Sequence, residues 1–146
     1  MSEDERIATK LIHTLENGKT GFETAAERLD NERPDVAAKF RHFSQQRASM
    51  SAQLKTIAAA YGDDIAQRST VPGALHRGWI AVKDALTGDD ADAVINAAET
   101  GEDHAVEDYE EALGEEDVSP EFRTLISQQL ASVQATHDYV RGLVPR

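Results

Sequence analysis

The 146-residue sequence contains no cysteine, which excludes disulfides, thiol catalysis and thiolate metal sites. No apolar run approaches the roughly 18 residues of a membrane-spanning helix. The first ten residues are polar and acidic, unlike the apolar centre of a secretory signal. We therefore expect a cytoplasmic protein that does not bind a membrane.

Basic residues are missing from a long part of the chain. Residues 84–122 include fifteen acids and neither lysine nor arginine, and the formal net charge of the chain is −12. Residues 36–62 show the reverse pattern, with four basic residues and no acid. Because an acidic surface repels polyanions, we expect no nucleic-acid partner. Two interpretations stay open: the basic segment packs beside the acidic one, or the acids attract cations.

Apolar residues recur every three or four positions in four segments, about 4–30, 34–61, 90–113 and 120–141, which predicts four amphipathic helices. Strand-like alternation is absent from the sequence. The polar stretch between the second and third helices is too long for a hairpin. Within it, residues 73–86 have a helical face that includes Trp79. We predict an all-α four-helix bundle in up-down-down-up order, with a long crossover that carries a short extra helix.

The chain is long enough for one domain with one core, which we place at residues 1–142. Residues 143–146 read Leu-Val-Pro-Arg, the sequence that thrombin leaves of a cleaved linker. We interpret these four residues as the remnant of a tag.

Two charged residues interrupt the predicted apolar faces. Arg47 lies between Phe43 and Met50 in the most regular heptad pattern of the chain, and Glu102 lies on the apolar face of the third helix. A buried guanidinium cannot lose its proton, and a buried carboxylate needs a partner. If the second and third helices run parallel, both residues fall near mid-bundle. We therefore predict an Arg47–Glu102 ion pair, with Glu16 as the second candidate partner of Arg47.

The sequence also contains four distinctive segments: E-N-G-K-T-G-F-E-T-A-A-E at 16–27, L-H-R-G-W at 75–79, G-E-D-H-A-V-E-D-Y-E-E-A-L at 101–113 and Q-Q-L-A-S-V-Q-A-T-H-D-Y-V-R at 128–141. In this order they resemble an uncharacterised bacterial family of four-helix bundles, a domain of unknown function in the ferritin-like superfamily. The resemblance implies a ferritin-like bundle and no established activity.

Ferritin-like di-metal sites use one glutamate from each of two helices and a Glu-x-x-His motif from each of the other two. This sequence contains no Glu-x-x-His, and its predicted second helix carries a carboxylate only at its first turn, at Asp35. We therefore do not expect a di-iron centre or its oxidation chemistry, and we assign no catalytic residue. A single Fe, Mn or Zn ion stays open as a cofactor. Its predicted ligands are Glu23, Glu99, Glu102 and His137.

Two classes of function follow from these patterns. The first is a bundle that binds one metal ion in a metal-handling or stress-related role. The second is a non-catalytic bundle that acts through protein association, with a buried Arg-Glu network in place of the metal site. The lack of a catalytic motif favours a protein that is not an enzyme. A homo-oligomer fits both classes, and no small-molecule substrate can be identified.

Overall fold

The computed structural model describes residues 3–61 and 90–144. They form four long helices, and a 3-10 turn at Ala59–Tyr61 extends the second. The helices are α1 (Glu3–Leu29), α2 (Pro34–Ala58), α3 (Ala91–Gly114) and α4 (Pro120–Leu143). Within these two ranges no strand occurs, so the predicted all-α four-helix bundle is confirmed. The predicted short helix at 73–86 lies outside the described residues.

The helix ends follow from local sequence. Proline occupies the first turn of both α2 and α4. Proline has no backbone N–H, and in the first turn this costs nothing because an N–H there has no acceptor within the helix. The side chain of Asp90 caps α3 by accepting a hydrogen bond from the Asp92 backbone N–H at 3.0 Å. Asp4 accepts a hydrogen bond from the Ser119 backbone N–H at 3.0 Å. This last contact ties the start of α1 to the start of α4.

Contacts between the helices define their directions. Connections of four and five residues make α1–α2 and α3–α4 antiparallel hairpins. Arg6 near the start of α1 pairs with Glu115 just beyond α3, and Thr14 further along α1 bonds to Asp108, so α1 and α3 are also antiparallel. Consequently α2 and α3 run parallel, and the helices have the up-down-down-up order.

The apolar core consists of two clusters stacked along the bundle. The first contains Ile7, Leu11, Leu15, Met50, Leu54, Ala105, Tyr109, Phe122, Ile126 and Val133, among others. The second contains Phe22, Leu29, Val36, Phe40, Phe43, Val94, Ile95, Ala98 and Val140, among others. Burial of each large side chain stabilises the fold by about 1.5–3 kcal/mol. Between the clusters, each helix contributes mainly small or polar residues.

The buried face of α4 differs from the predicted one at two positions. The spacing predicts that Leu130 and His137 face the core, but both are only partly buried, while Gln129 and Thr136 are buried. The other predicted positions, Phe122, Ile126, Val133 and Val140, are buried as expected. At its end, Leu143 and Val144 pack against the second apolar cluster. No helix in the described ranges has the length and apolar content needed to cross a membrane.

Candidate functional site

An ion pair between Arg47 and Glu102 lies between the two apolar clusters. Arg47 Nη2 donates a hydrogen bond to Glu102 Oε2 at 2.6 Å, and both side chains are 0% exposed. α1 packs against both α2 and α3, and α4 packs against α3 and touches α2. Since α2 and α3 are thus diagonal in the bundle, the long Arg47 side chain bridges its centre.

The neighbours of Arg47 on α1 are shaped to accept its side chain. A Cβ atom at Gly18 would lie 3.2 Å from Arg47 Nη1, so glycine provides the space for the guanidinium. The Arg47 Cζ atom lies 5.5 Å from the centre of the Phe22 ring, within the range of a cation–π interaction. The desolvated charge of Arg47 is therefore balanced by an aromatic face as well as by Glu102.

Part of the hydrogen-bonding capacity of the pair is unused within the described residues. Arg47 Nε and Nη1 and Glu102 Oε1 are buried and have no hydrogen-bond partner there. A buried polar group without a partner is costly. The pair is therefore a constraint on the core rather than a simple source of stability.

A second polar contact joins α3 to α4 near the ion pair. Tyr109 Oη donates to Gln129 Oε1 at 2.7 Å, and the amide nitrogen of Gln129 donates to the Met50 carbonyl and to Gln53 Oε1, each at 3.1 Å. Burial raises the pKa of Tyr109, a shift that the charge of Arg47 opposes. The phenol therefore remains a neutral donor well into the alkaline range.

Glu16, the second candidate partner of Arg47, bonds elsewhere. Its Oε1 atom accepts hydrogen bonds from Ser51 and Lys55, both at 2.8 Å. Burial pushes the pKa of Glu16 upward, but the hydrogen bonds from Lys55 and Ser51 outweigh it and place the pKa below its usual value. Glu16 thus joins α1 to α2 at their surface and leaves Glu102 as the carboxylate that bonds to Arg47.

A polar groove lies outside the core, between α3 and α4. It is lined by Glu99, Asp103, His137 and Arg141 and has a volume of about 320 Å³. His137 Nε2 and Asp103 Oδ1 are 2.5 Å apart, and His137 Nδ1 lies 3.6 Å from Asp138. The imidazole therefore lies between two carboxylates, one on α3 and one on α4.

The four predicted metal ligands lie in three separate places. Glu102 is buried beside Arg47, whereas Glu99 and His137 line the α3–α4 groove. Glu23 is exposed and lines a different groove, between α1 and α2, with Arg41. Glu99 and Glu102 are three positions apart on one helix, so their side chains diverge by about 60° around its axis. Among the described residues, no three histidine or acidic side chains gather in a way that could hold a metal ion.

Several buried polar residues do not stand out in the sequence. Gln129 is 3% exposed, whereas the spacing favours its apolar neighbour Leu130 as the core residue. Asp108, which accepts a hydrogen bond from Thr14 at 2.8 Å, lies in a run of acids that reads as solvent-exposed. For Gln129, the spacing of three from Ile126 and four to Val133 is the signal that could have identified it.

Comparison with known proteins gives one match. A family model described as a domain of unknown function (DUF2383) matches residues 7–115. No curated protein and no solved structure matches the chain. The matched segment includes both members of the Arg47–Glu102 pair and the whole of α1 and α2 beyond residue 6.

We expect Arg47→Ala to lower the melting temperature far more than Arg41→Ala. Loss of one partner from a buried pair typically costs about 3–5 kcal/mol, or roughly 10 °C in a domain of this size, because Glu102 is left unpaired. Arg41 also bonds to a carboxylate, Asp30, at 2.6 Å, but both side chains are nearly half exposed and water screens them. Thermal unfolding followed by circular dichroism measures the difference. Small and equal effects would contradict the buried pair.

Tyr109→Phe should reduce the alkaline destabilisation of the protein. The folded-state pKa of Tyr109 is raised, whereas an unfolded tyrosine ionises near pH 10. The contribution of Tyr109 to the free energy of unfolding is therefore fully present below about pH 10. Above that pH it decreases by up to about 1.4 kcal/mol per pH unit. Urea unfolding between pH 8 and 11.5 measures the slope of the free energy of unfolding against pH.

The control for this experiment is Tyr139→Phe. Burial also raises the pKa of Tyr139, but this side chain is only partly buried. We expect its removal to change the slope less than removal of Tyr109. A slope that is unchanged in Tyr109→Phe would show that this phenol ionises freely in the folded protein.

Gly18→Ala should destabilise the protein although alanine is the better helix former by about 1 kcal/mol. The added methyl group would press on Arg47 Nη1, and Arg47 cannot move away without stretching its bond to Glu102. Gly142→Ala is the control, since nothing lies within 4 Å of a Cβ atom there. We expect chemical denaturation to show a lower free energy of unfolding for Gly18→Ala and a higher one for Gly142→Ala. Stabilisation by Gly18→Ala would mean that the guanidinium is free to shift.

Proposed function

This chain belongs to the DUF2383 family, a domain of unknown function, and we propose that it is a non-catalytic helical bundle that acts through protein association. In this proposal the fold is ferritin-like, and the Arg47–Glu102 pair occupies the central position that a metal centre would otherwise take. The single observation that carries the proposal is the complete burial of this pair, with a 2.6 Å hydrogen bond.

The charge of Arg47 supports the absence of a central metal ion. A guanidinium keeps its proton at every accessible pH, so Arg47 places a permanent positive charge beside the carboxylate of Glu102. A divalent cation at Glu102 would have to displace this charge or tolerate it at close range, and both are unfavourable in a desolvated core. Glu102 thus serves as the counterion of Arg47 and not as a metal ligand in this proposal.

The ferritin-like assignment is supported by the order of the helices. Ferritin-like bundles have one long crossover and two antiparallel hairpins. Here α1–α2 and α3–α4 are hairpins, and α2 and α3 run parallel. The bundle centre between α2 and α3, where such proteins build their cofactor sites, holds Arg47 and Glu102.

The remaining polar groups support association rather than a reaction. Tyr109 and Gln129 are buried and bonded to each other, so they stabilise the core instead of facing a substrate. The polar groove beside His137 contains the imidazole and three charged side chains, and none of the described residues that line it is a serine, threonine or lysine nucleophile. In this proposal the bundle acts through surfaces that bind another protein and has no reaction centre.

Metal titration tests the proposal. We expect isothermal titration calorimetry with Fe(II), Mn(II) and Zn(II) to show no stoichiometric binding to protein purified without a chelating resin. Fe(II) should oxidise in air at the same rate with and without the protein. Elemental analysis of the purified protein gives a third, independent measurement.

His137→Ala and the exposed control His42→Ala identify the cause of any binding. Stoichiometric binding that is lost in His137→Ala and retained in His42→Ala would contradict the proposal in favour of a single-metal site that includes Glu99 and His137. Faster Fe(II) oxidation in the presence of the protein would contradict it in favour of an enzyme.

A further inference from the structure

The acidic residues of this chain are distributed unevenly over the four helices. α2 beyond residue 35 and its 3-10 extension contain no acid, and neither does α4 over residues 122–137. The whole chain has 27 acids and a net charge of −12. α2 and α4 therefore contribute the acid-free part of the described surface, while α1 and α3 carry most of its negative charge.

The acid-free segments of α2 and α4 flank one groove, and Asp35 and Asp138 lie just outside these segments. The two helices touch each other at only a few points, and the groove between them has a volume of about 450 Å³. Its floor is aromatic: the rings of Phe43 and Tyr139 are 5.4 Å apart in an edge-to-face arrangement, and Lys39 Nζ lies 5.7 Å from the centre of the Tyr139 ring. Ala131 and Ala135 on α4 form an exposed part of the lining.

The exposed side chains of the α4 segment are uncharged, whereas α2 contributes Lys39 and His42 to the groove. On α4 the exposed residues within 122–137 are Thr124, Ser127, Gln128, Ala131, Gln134 and Ala135. The two alanines among them lose no rotamer freedom when they are covered. They also allow another helix to approach closely, because the distance between helix axes depends on side-chain size at the contact.

We propose that the α2–α4 face, defined by residues 36–61 and 122–137, binds a second copy of this chain in a symmetric dimer. The inference rests on the proposed function and names the partner and the face. Two chains with a charge of −12 repel each other wherever their acidic surfaces meet. The α2–α4 face is where two copies can approach without bringing acids together, and Lys39 is the exposed basic residue of its groove. A basic partner would instead be attracted to the acids of α3.

The dimensions of the face agree with a weak dimer. The 16 acid-free residues of α4 span about 24 Å, and two adjacent helices are roughly 20 Å wide. The face thus covers on the order of 500 Å² per copy, or about 1,000 Å² in a symmetric pair, at the lower end for a specific interface. We therefore expect association that depends on protein concentration.

Salt dependence distinguishes this arrangement from a charge-driven one. From about 0.01 M to about 0.1 M NaCl the Debye length falls from about 30 Å to about 10 Å. Added salt weakens the repulsion between the acidic bodies of two copies, so the dimer should become tighter. If the basic α2 of one copy instead bound the acidic α3 of another, added salt would weaken the complex.

The test is sedimentation equilibrium of the full chain with two matched double variants. Ala131→Glu/Ala135→Glu places two acids four residues apart in the face, and Asn96→Glu/Thr100→Glu places the same pair on exposed positions of α3. We expect the first variant to weaken dimerisation at least about tenfold, because like charges across an interface are costly. The second variant should retain the wild-type dependence on salt and concentration. Circular dichroism checks that both variants are folded.

Three outcomes overturn the proposal. The first is a wild-type chain that stays monomeric at all concentrations, and the second is a dimer that salt weakens. The third is a monomer whose melting temperature falls more with the α4 variant than with the α3 variant, which would mean that the chain itself covers this face. None of these outcomes depends on metal binding, so the metal titration still decides the proposed function separately.

Discussion

The buried ion pair between Arg47 and Glu102 is the interaction on which the rest of this bundle depends. It lies where two apolar clusters meet, at 0% exposure for both side chains. A charge in that position is tolerated only when its partner is close, because desolvation penalises an isolated ion severely. Any change in the relative position of α2 and α3 would separate the two groups, so the pair restricts the bundle to one arrangement.

Such a restriction is useful because α2 and α3 are not joined by a short connection. Short loops align the α1–α2 and α3–α4 hairpins, whereas apolar packing alone permits one hairpin to slide along the other by a helical turn. A single buried polar contact is known to fix register in this way. Gly18 has a part in the same constraint, since it leaves space on α1 for the guanidinium. The proposal of a non-catalytic bundle rests on the ion pair, in which the Glu102 carboxylate binds Arg47 in place of a metal ion.

The sequence predicts those features that depend on a regular pattern or on its interruption. Four periodic segments identify four helices with ends that agree to within three residues, and a charge in an otherwise apolar heptad makes Arg47 and Glu102 stand out. Features that depend on a small rotation are not predicted. The polar residue Gln129 lies next to Leu130, and only the packing of α4 decides which of them is buried. Likewise, Glu99 and Glu102 are close in sequence, but a divergence of about 60° around the axis of α3 places Glu99 in the groove and Glu102 in the core.

The central claim is that Arg47 and Glu102 stabilise each other in a desolvated core, and a double-mutant cycle tests it most directly. Free energies of unfolding would be measured by urea denaturation for the wild type, Arg47→Met, Glu102→Leu and the double variant. The account predicts that each single variant is destabilised by about 3–5 kcal/mol and that the double variant recovers most of this loss, because an apolar pair of similar volume replaces the ions. The coupling energy would then be at least about 2 kcal/mol. Additive effects, with a coupling energy below about 0.5 kcal/mol, would contradict the account.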